Sequence, residues 1–75
     1  MEFEKLRDII VEVLQIEPDK VTVDTAFEDL DADSLDVYQI ISAIGSEFDI
    51  EISDEDAESI TTVGDALEKI KDAVN

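Results

Sequence analysis

The residues of this chain that could do chemistry gather at Asp33-Ser34-Leu35-Asp36, where a polar connection gives way to an apolar segment. Asp33 suits a helix N-cap, since its carboxylate can accept from backbone N–H groups that a first turn leaves unpaired. Asp36, three residues on, completes the acidic signature of a helix start. Ser34 then falls at the first helical position, with its hydroxyl at an exposed corner. A phosphate ester there would lie beside the positive end of the helix dipole. Ser34 is therefore a candidate attachment point, to be weighed against the plainer reading of an ordinary helix-start serine.

Composition removes most competing chemistry. The sequence has no histidine and no cysteine, so there is no Ser-His-Asp triad, no thiol nucleophile and no zinc-type ligand set. A Ser-Lys pair would need a lysine near Ser34, and the lysines that flank it on either side are as far off as Lys20 and Lys69. Gly45 and Gly64 are isolated, so no glycine loop cradles a phosphate. Asp29, Asp31 and Asp33 imitate the opening of an EF-hand loop. The match fails at the sixth position, Ser34 instead of glycine, and at the twelfth, Ile40 instead of a bidentate glutamate. The chain is expected to be neither an enzyme nor a metal protein.

Charge points the same way. With 22 acidic against 5 basic residues the formal net charge is −17, and no basic residue lies between Lys20 and Lys69. Nucleic acid, which needs lysine and arginine against its phosphates, is excluded as a partner. Anionic membrane surfaces are disfavoured too. Acidic surfaces either keep a protein soluble or dock it onto basic patches by fast, salt-sensitive association. No apolar run reaches signal-peptide or membrane-spanning length, so a cytoplasmic monomer without membrane insertion is expected.

The elements that must position Ser34 are legible as helices. Phe3, Leu6, Ile9, Ile10, Val13 and Leu14 recur at helical spacing, and Pro18 is expected to stop that first helix. A long connection follows, anchored by Val21, Val23, Phe27 and Leu30, with Asp24 or Thr25 as a cap for one turn. It alternates like a strand at Lys20-Val21-Thr22-Val23, but no partner strand is evident. The second helix, Ser34 to Phe48, has an apolar arc too broad for one neighbour and should be central. Gly45 inside it suggests close packing. Ser53-Asp54-Glu55-Asp56 reads as a capping box opening a short helix through Ser59, with Ala57 and Ile60 turned inward. Thr62-Val63-Gly64-Asp65 opens the last helix. The expected architecture is all-α: a small four-helix bundle of three longer helices and one short one, with a long packed loop between helices 1 and 2. With 75 residues and 44% hydrophobic content it forms one domain, residues 1–75.

The ordered series Glu28-Asp29-Leu30, Asp31-Ala32-Asp33-Ser34-Leu35-Asp36, Glu47 to Ile52, Asp54 to Glu58 and Ile60 to Val63 resembles the acyl carrier proteins along essentially the whole chain. The resemblance implies that a phosphopantetheinyl transferase esterifies Ser34 with 4′-phosphopantetheine from coenzyme A. The arm's thiol would carry growing acyl chains between the enzymes of dissociated fatty acid synthesis. Asp33, Leu35 and Asp36 would then meet the transferase and partners, and Glu47, Asp54, Glu55 and Asp56 would dock basic patches on those enzymes. Ile44, Phe48, Ile52, Ala57 and Ile60 would line the acyl-chain pocket, though each also suits ordinary core. The sequence departs from the family's usual pattern at Asp31, where a glycine is common, and at Tyr38, where an aliphatic residue is usual. Gln39, Gly45 and Ser46 also thin the acids of the second helix. These departures keep open a carrier dedicated to a polyketide, lipid-modification or D-alanyl pathway. An unmodified acidic interaction module is the alternative from another class.

Overall fold

A computed structural model describes residues 2–74 as four helices: α1, Glu2–Leu14; α2, Ser34–Phe48; α3, Asp54–Ser59; and α4, Val63–Val74. The fold is an all-α small bundle, with no strand among the described residues. Helix α1 packs against α2 and α4, and α2 against α4. Their apolar stripes supply the fully buried Leu6 and Ile10 from α1, Ile40 and Ile44 from α2, and Val63 and Ile70 from α4. Burying such stripes is what holds so small a chain together.

Helix α1 ends earlier than Pro18 requires. Gln15 takes the left-handed conformation (φ 57°), its N–H donates to the Val11 carbonyl at 2.9 Å, and its side chain donates to the Glu12 carbonyl. These bonds satisfy carbonyls that a helix end would leave open. Pro18 instead opens a short 3₁₀ turn, Pro18–Lys20.

The connection between α1 and α2 is packed, as expected, but its anchors are not all equal. Val21 and Phe27 are buried and Leu30 is half-buried, whereas Val23 is exposed. Val23 holds its place through backbone instead: its carbonyl accepts from Gly64 N–H at 2.9 Å. Next to it Phe27 N–H donates to the Thr61 carbonyl and Val63 N–H to the Thr25 carbonyl, around an isolated antiparallel bridge between Ala26 and Thr62. The alternating stretch Lys20-Val21-Thr22-Val23 forms no strand, as expected; only its last carbonyl and the residues just after it bond to the start of α4 and the segment leading into it. Ala26 caps the next 3₁₀ turn, Phe27–Leu30, without a side-chain bond. Neither Asp24 nor Thr25 occupies that place; the Thr25 hydroxyl bonds back to Thr22.

Two details fix the far end of α2 and the entry to α4. A Cβ on Gly45 would lie 3.1 Å from the Ile50 carbonyl oxygen, because the chain doubles back there through left-handed Asp49. At α4, Asp65 N–H donates to the Thr62 hydroxyl, while the Asp65 carboxylate accepts from Thr61 N–H, Thr62 N–H and the Thr61 hydroxyl. Those bonds, led by the Thr61 backbone, hold the Asp65 carboxyl below its ordinary range.

Candidate functional site

Ser34 stands at the first position of α2, exposed, directly after the N-cap Asp33. The cap is reciprocal. Asp36 N–H donates to Asp33 Oδ1 at 2.9 Å, and Asp33 N–H donates to Asp36 Oδ2 at 3.3 Å. Two backbone donors are thus satisfied on either side of the serine, and its backbone is pinned while its hydroxyl stays accessible. The approach is fixed as well, since Asp31 turns through the left-handed region (φ 59°) and its N–H bonds back into the preceding turn. That conformation explains why a glycine would suit this position.

A cleft of about 210 Å³ opens beside Ser34 between α2 and α3. Ser34, Val37, Tyr38 and Ile41 form its α2 wall, and Ala57, Glu58 and Ile60 form the wall opposite. The spacing of the first wall, i, i+3, i+4 and i+7, is one face of a helix. Ile41 and Ile60 are buried, Val37 and Ala57 half-buried, and Tyr38 is 55% exposed. An apolar trough thus begins at the exposed hydroxyl.

The expected pocket residues divide. Ala57 and Ile60 line the cleft, whereas Ile44, Phe48 and Ile52 do not. Ile44 is completely buried in the core. The Phe48 ring lies 6.0 Å from Lys5 Nζ of α1, and Ile52 packs on the core from the link before α3. Tyr38, singled out in the sequence as larger than the usual aliphatic residue, does border the cleft, whereas reasoning from the sequence missed Val37, Ile41 and Glu58. Counting helical turns from Ser34 finds Val37 and Ile41; Glu58, a charged residue on a very short helix, carries no such signal.

The acidic residues are spread around the molecule. Leu35 is 72% exposed beside Ser34, and Asp54 and Glu55 are exposed on α3. Ser53 caps α3, its hydroxyl accepting from Asp56 N–H, but the box is not reciprocal. The Asp56 carboxylate accepts from Lys69 Nζ at 3.2 Å instead, tying α3 to α4. Glu47 sits at the opposite end of α2, about 20 Å along the axis from Ser34 at 1.5 Å per residue. It lines a separate groove between α1 and α2 with Lys5 and Asp8. Asp33, Leu35 and Asp36 surround the serine; Glu47 does not.

Comparison with known proteins agrees with this geometry. Residues 4–70 match the family model described as a phosphopantetheine attachment site. A curated relative, the acyl carrier protein of Sulfurovum sp. (strain NBC37-1), is 49% identical over 70 residues, covering 92% of this chain and 93% of the relative. Among solved structures, an acyl carrier protein from Enterococcus faecalis, described for its high thermal stability, superposes with a TM-score of 0.80. It is 41% identical, and the match covers 96% of this chain and 92% of that one.

Proposed function

Because the chain belongs to the phosphopantetheine-bearing family of acyl carrier proteins, we propose that Ser34 is its attachment residue and that it serves dissociated fatty acid synthesis. Members of this family carry 4′-phosphopantetheine covalently, and they act as carriers for other enzymes' reactions. The observation that carries the assignment is the exposed Ser34 hydroxyl, held by the Asp33–Asp36 box at the mouth of an apolar cleft.

The residues present fit the group. Its terminal thiol, when bound, supplies the thioester that holds an acyl chain. The chain's own residues do the rest. Asp33 and Asp36 fix the backbone so that the hydroxyl faces a transferase, while the helix N-terminus favours the phosphate. Val37, Ile41, Ala57 and Ile60 offer the acyl chain a place away from water. A longer chain would press on toward Ile44, Phe48 and Ile52 only by parting α2 from α3. The net charge of −17 suits docking onto basic patches of a transferase and of successive synthesis enzymes, through contacts that form and break quickly. Leu35, Asp54 and Glu55 are the exposed candidates for that contact, with Asp56 shared with Lys69.

One observation favours a second reading, a carrier dedicated to a specialised pathway. Helix α2 has acids only at Asp36 and Glu47, and it presents Tyr38 and Gln39 outward between them. The experiment that decides is isolation of the protein from its own cell, followed by mass analysis of the intact chain. A series of saturated acyl thioesters on Ser34 supports fatty acid synthesis. One unusual acyl or aminoacyl group would transfer the assignment to a dedicated pathway. A wholly unmodified chain would contradict the carrier assignment.

A further inference from the structure

A second groove lies between α1 and α2, and Ser34 takes no part in it. Lys5, Asp8, Ile9 and Glu12 line it from α1, and Ala43, Ser46 and Glu47 from α2. Each set has the i, i+3, i+4 spacing of one helix face. At about 100° per residue, Ala43, Ser46 and Glu47 turn to the opposite side of α2 from Val37 and Ile41. The groove stays open because its α2 wall carries only alanine and serine before Glu47 at its end. Half-buried Ile9 and Ala43 give it an apolar floor, and Asp8, Glu12, Ser46 and Glu47 stand exposed around them. Its volume is about 360 Å³, room for roughly twelve water-sized groups at ~30 Å³ each.

Three carboxylates face one ammonium in this lining, and the ammonium does not neutralise them. Lys5 Nζ lies 6.0 Å from the centroid of the Phe48 ring. It forms no ion pair with Asp8, three residues on, although that spacing permits one. Asp8, Glu12 and Glu47 thus have no cation of this chain against them. Nor do they converge on a point, since no group of three carboxylates among the described residues is arranged to hold a metal ion. An occupant must therefore spread its positive charge and also cover Ile9 and Ala43. A second copy of the chain, with its own net charge of −17, is repelled. An arginine side chain meets both demands. Its aliphatic stem lies on apolar surface while its planar guanidinium bridges separate carboxylates. A lysine ammonium is a compact, strongly hydrated point charge and meets only the first.

We propose that the groove between α1 and α2 is a second docking surface, which takes an arginine-bearing segment of a partner protein. The groove reaches Glu47, about 20 Å along α2 from Ser34, and faces away from the cleft beside the serine. A segment seated there leaves the Ser34 hydroxyl and that cleft uncovered. The inference stands whether or not Ser34 carries the arm, so Ser34→Ala should bind as the native chain does.

The test titrates the isotope-labelled full chain with acetyl-Arg-Leu-Ala-Arg-amide at physiological ionic strength and follows backbone amide shifts by NMR. The shifts should cluster at Ile9, Glu12, Ala43, Ser46 and Glu47. The lysine counterpart, of equal charge, should bind at least about threefold more weakly. Glu12→Gln combined with Glu47→Gln should weaken the arginine peptide about tenfold. Glu68→Gln combined with Asp72→Asn, the same loss of charge on α4, should change it less than about twofold. Ser46→Phe fills the groove without altering charge and should weaken binding as much as the groove pair does. All five substituted positions are exposed, so each variant should keep a melting curve close to the native one. Shifts spread evenly over the acidic surface, equal affinity for the two peptides, or equal weakening by the two charge pairs would overturn the inference. So would the absence of any shift.

Discussion

Asp33 and Asp36 hold each other's backbone N–H across the serine between them, at 2.9 and 3.3 Å. Two carboxylates of like charge are thereby placed close together, and each is stabilised by the donor it accepts from. The arrangement secures the start of α2 without using the serine's own hydroxyl. Asp33→Ala should therefore cost about 1 kcal/mol in urea unfolding, and Asp33→Asn clearly less, because asparagine caps nearly as well. Equal losses in the two variants would show that charge, not the cap, supplies the stability.

The second close relationship is made of backbone alone. A Cβ on Gly64 would stand 2.8 Å from the Val23 carbonyl oxygen that its N–H bonds. The obstacle is main chain on both sides, so no side chain can swing away. Gly64→Ala should destabilise by about 1–3 kcal/mol, against the usual gain from putting alanine into a helix. Chemical denaturation checks it, and an unchanged or raised midpoint would show that the connection to α4 yields easily.

These two cases mark what was legible in the sequence. The N-cap of α2 could be read because its signal is local, two aspartates three residues apart with apolar spacing beyond. The same holds for Ser53 at α3. The bridge from Ala26 to Thr62 could not be read, because a single backbone pairing between distant segments imposes no side-chain pattern. Val23 looked like an anchor for that reason, although its contribution is a carbonyl. The end of α1 at Leu14 could be read from the apolar spacing, whereas the left-handed Gln15 that closes it carried no signal. In the cleft, the broad apolar arc of α2 did not distinguish Ile41, which borders the trough, from Ile44, which fills the core. Only the placement of α3 decides between them.

Asp65 gives the fold one directed dependence on pH. Its carboxyl lies below the ordinary value of 3.8, chiefly through the Thr61 bonds, so folding favours the ionised form. Its contribution to stability is fully present above that value and is lost as pH falls through the depressed one. Asp65→Asn should thus be less stable than the native chain at neutral pH, with the gap closing under strong acid. Thermal melts of both chains across that range measure the gap; a constant difference would show that the contribution does not depend on ionisation.

Self-repulsion works in the opposite sense. A net charge of −17 on 75 residues opposes the compact state, and only Lys69–Asp56 forms an ion pair among the described residues. Added salt or millimolar divalent cation should raise the melting temperature by screening or neutralising that charge. A melting temperature unmoved by either would mean that the acids are too well separated to oppose folding.

The central claim is that Ser34 receives the arm, and intact-mass measurement tests it directly. The purified apo chain is incubated with coenzyme A and a broad-specificity phosphopantetheinyl transferase, alongside Ser34→Ala. The account predicts that the native chain gains the mass of one phosphopantetheine and that Ser34→Ala gains none. A native chain of unchanged mass, or a modified Ser34→Ala, would contradict it.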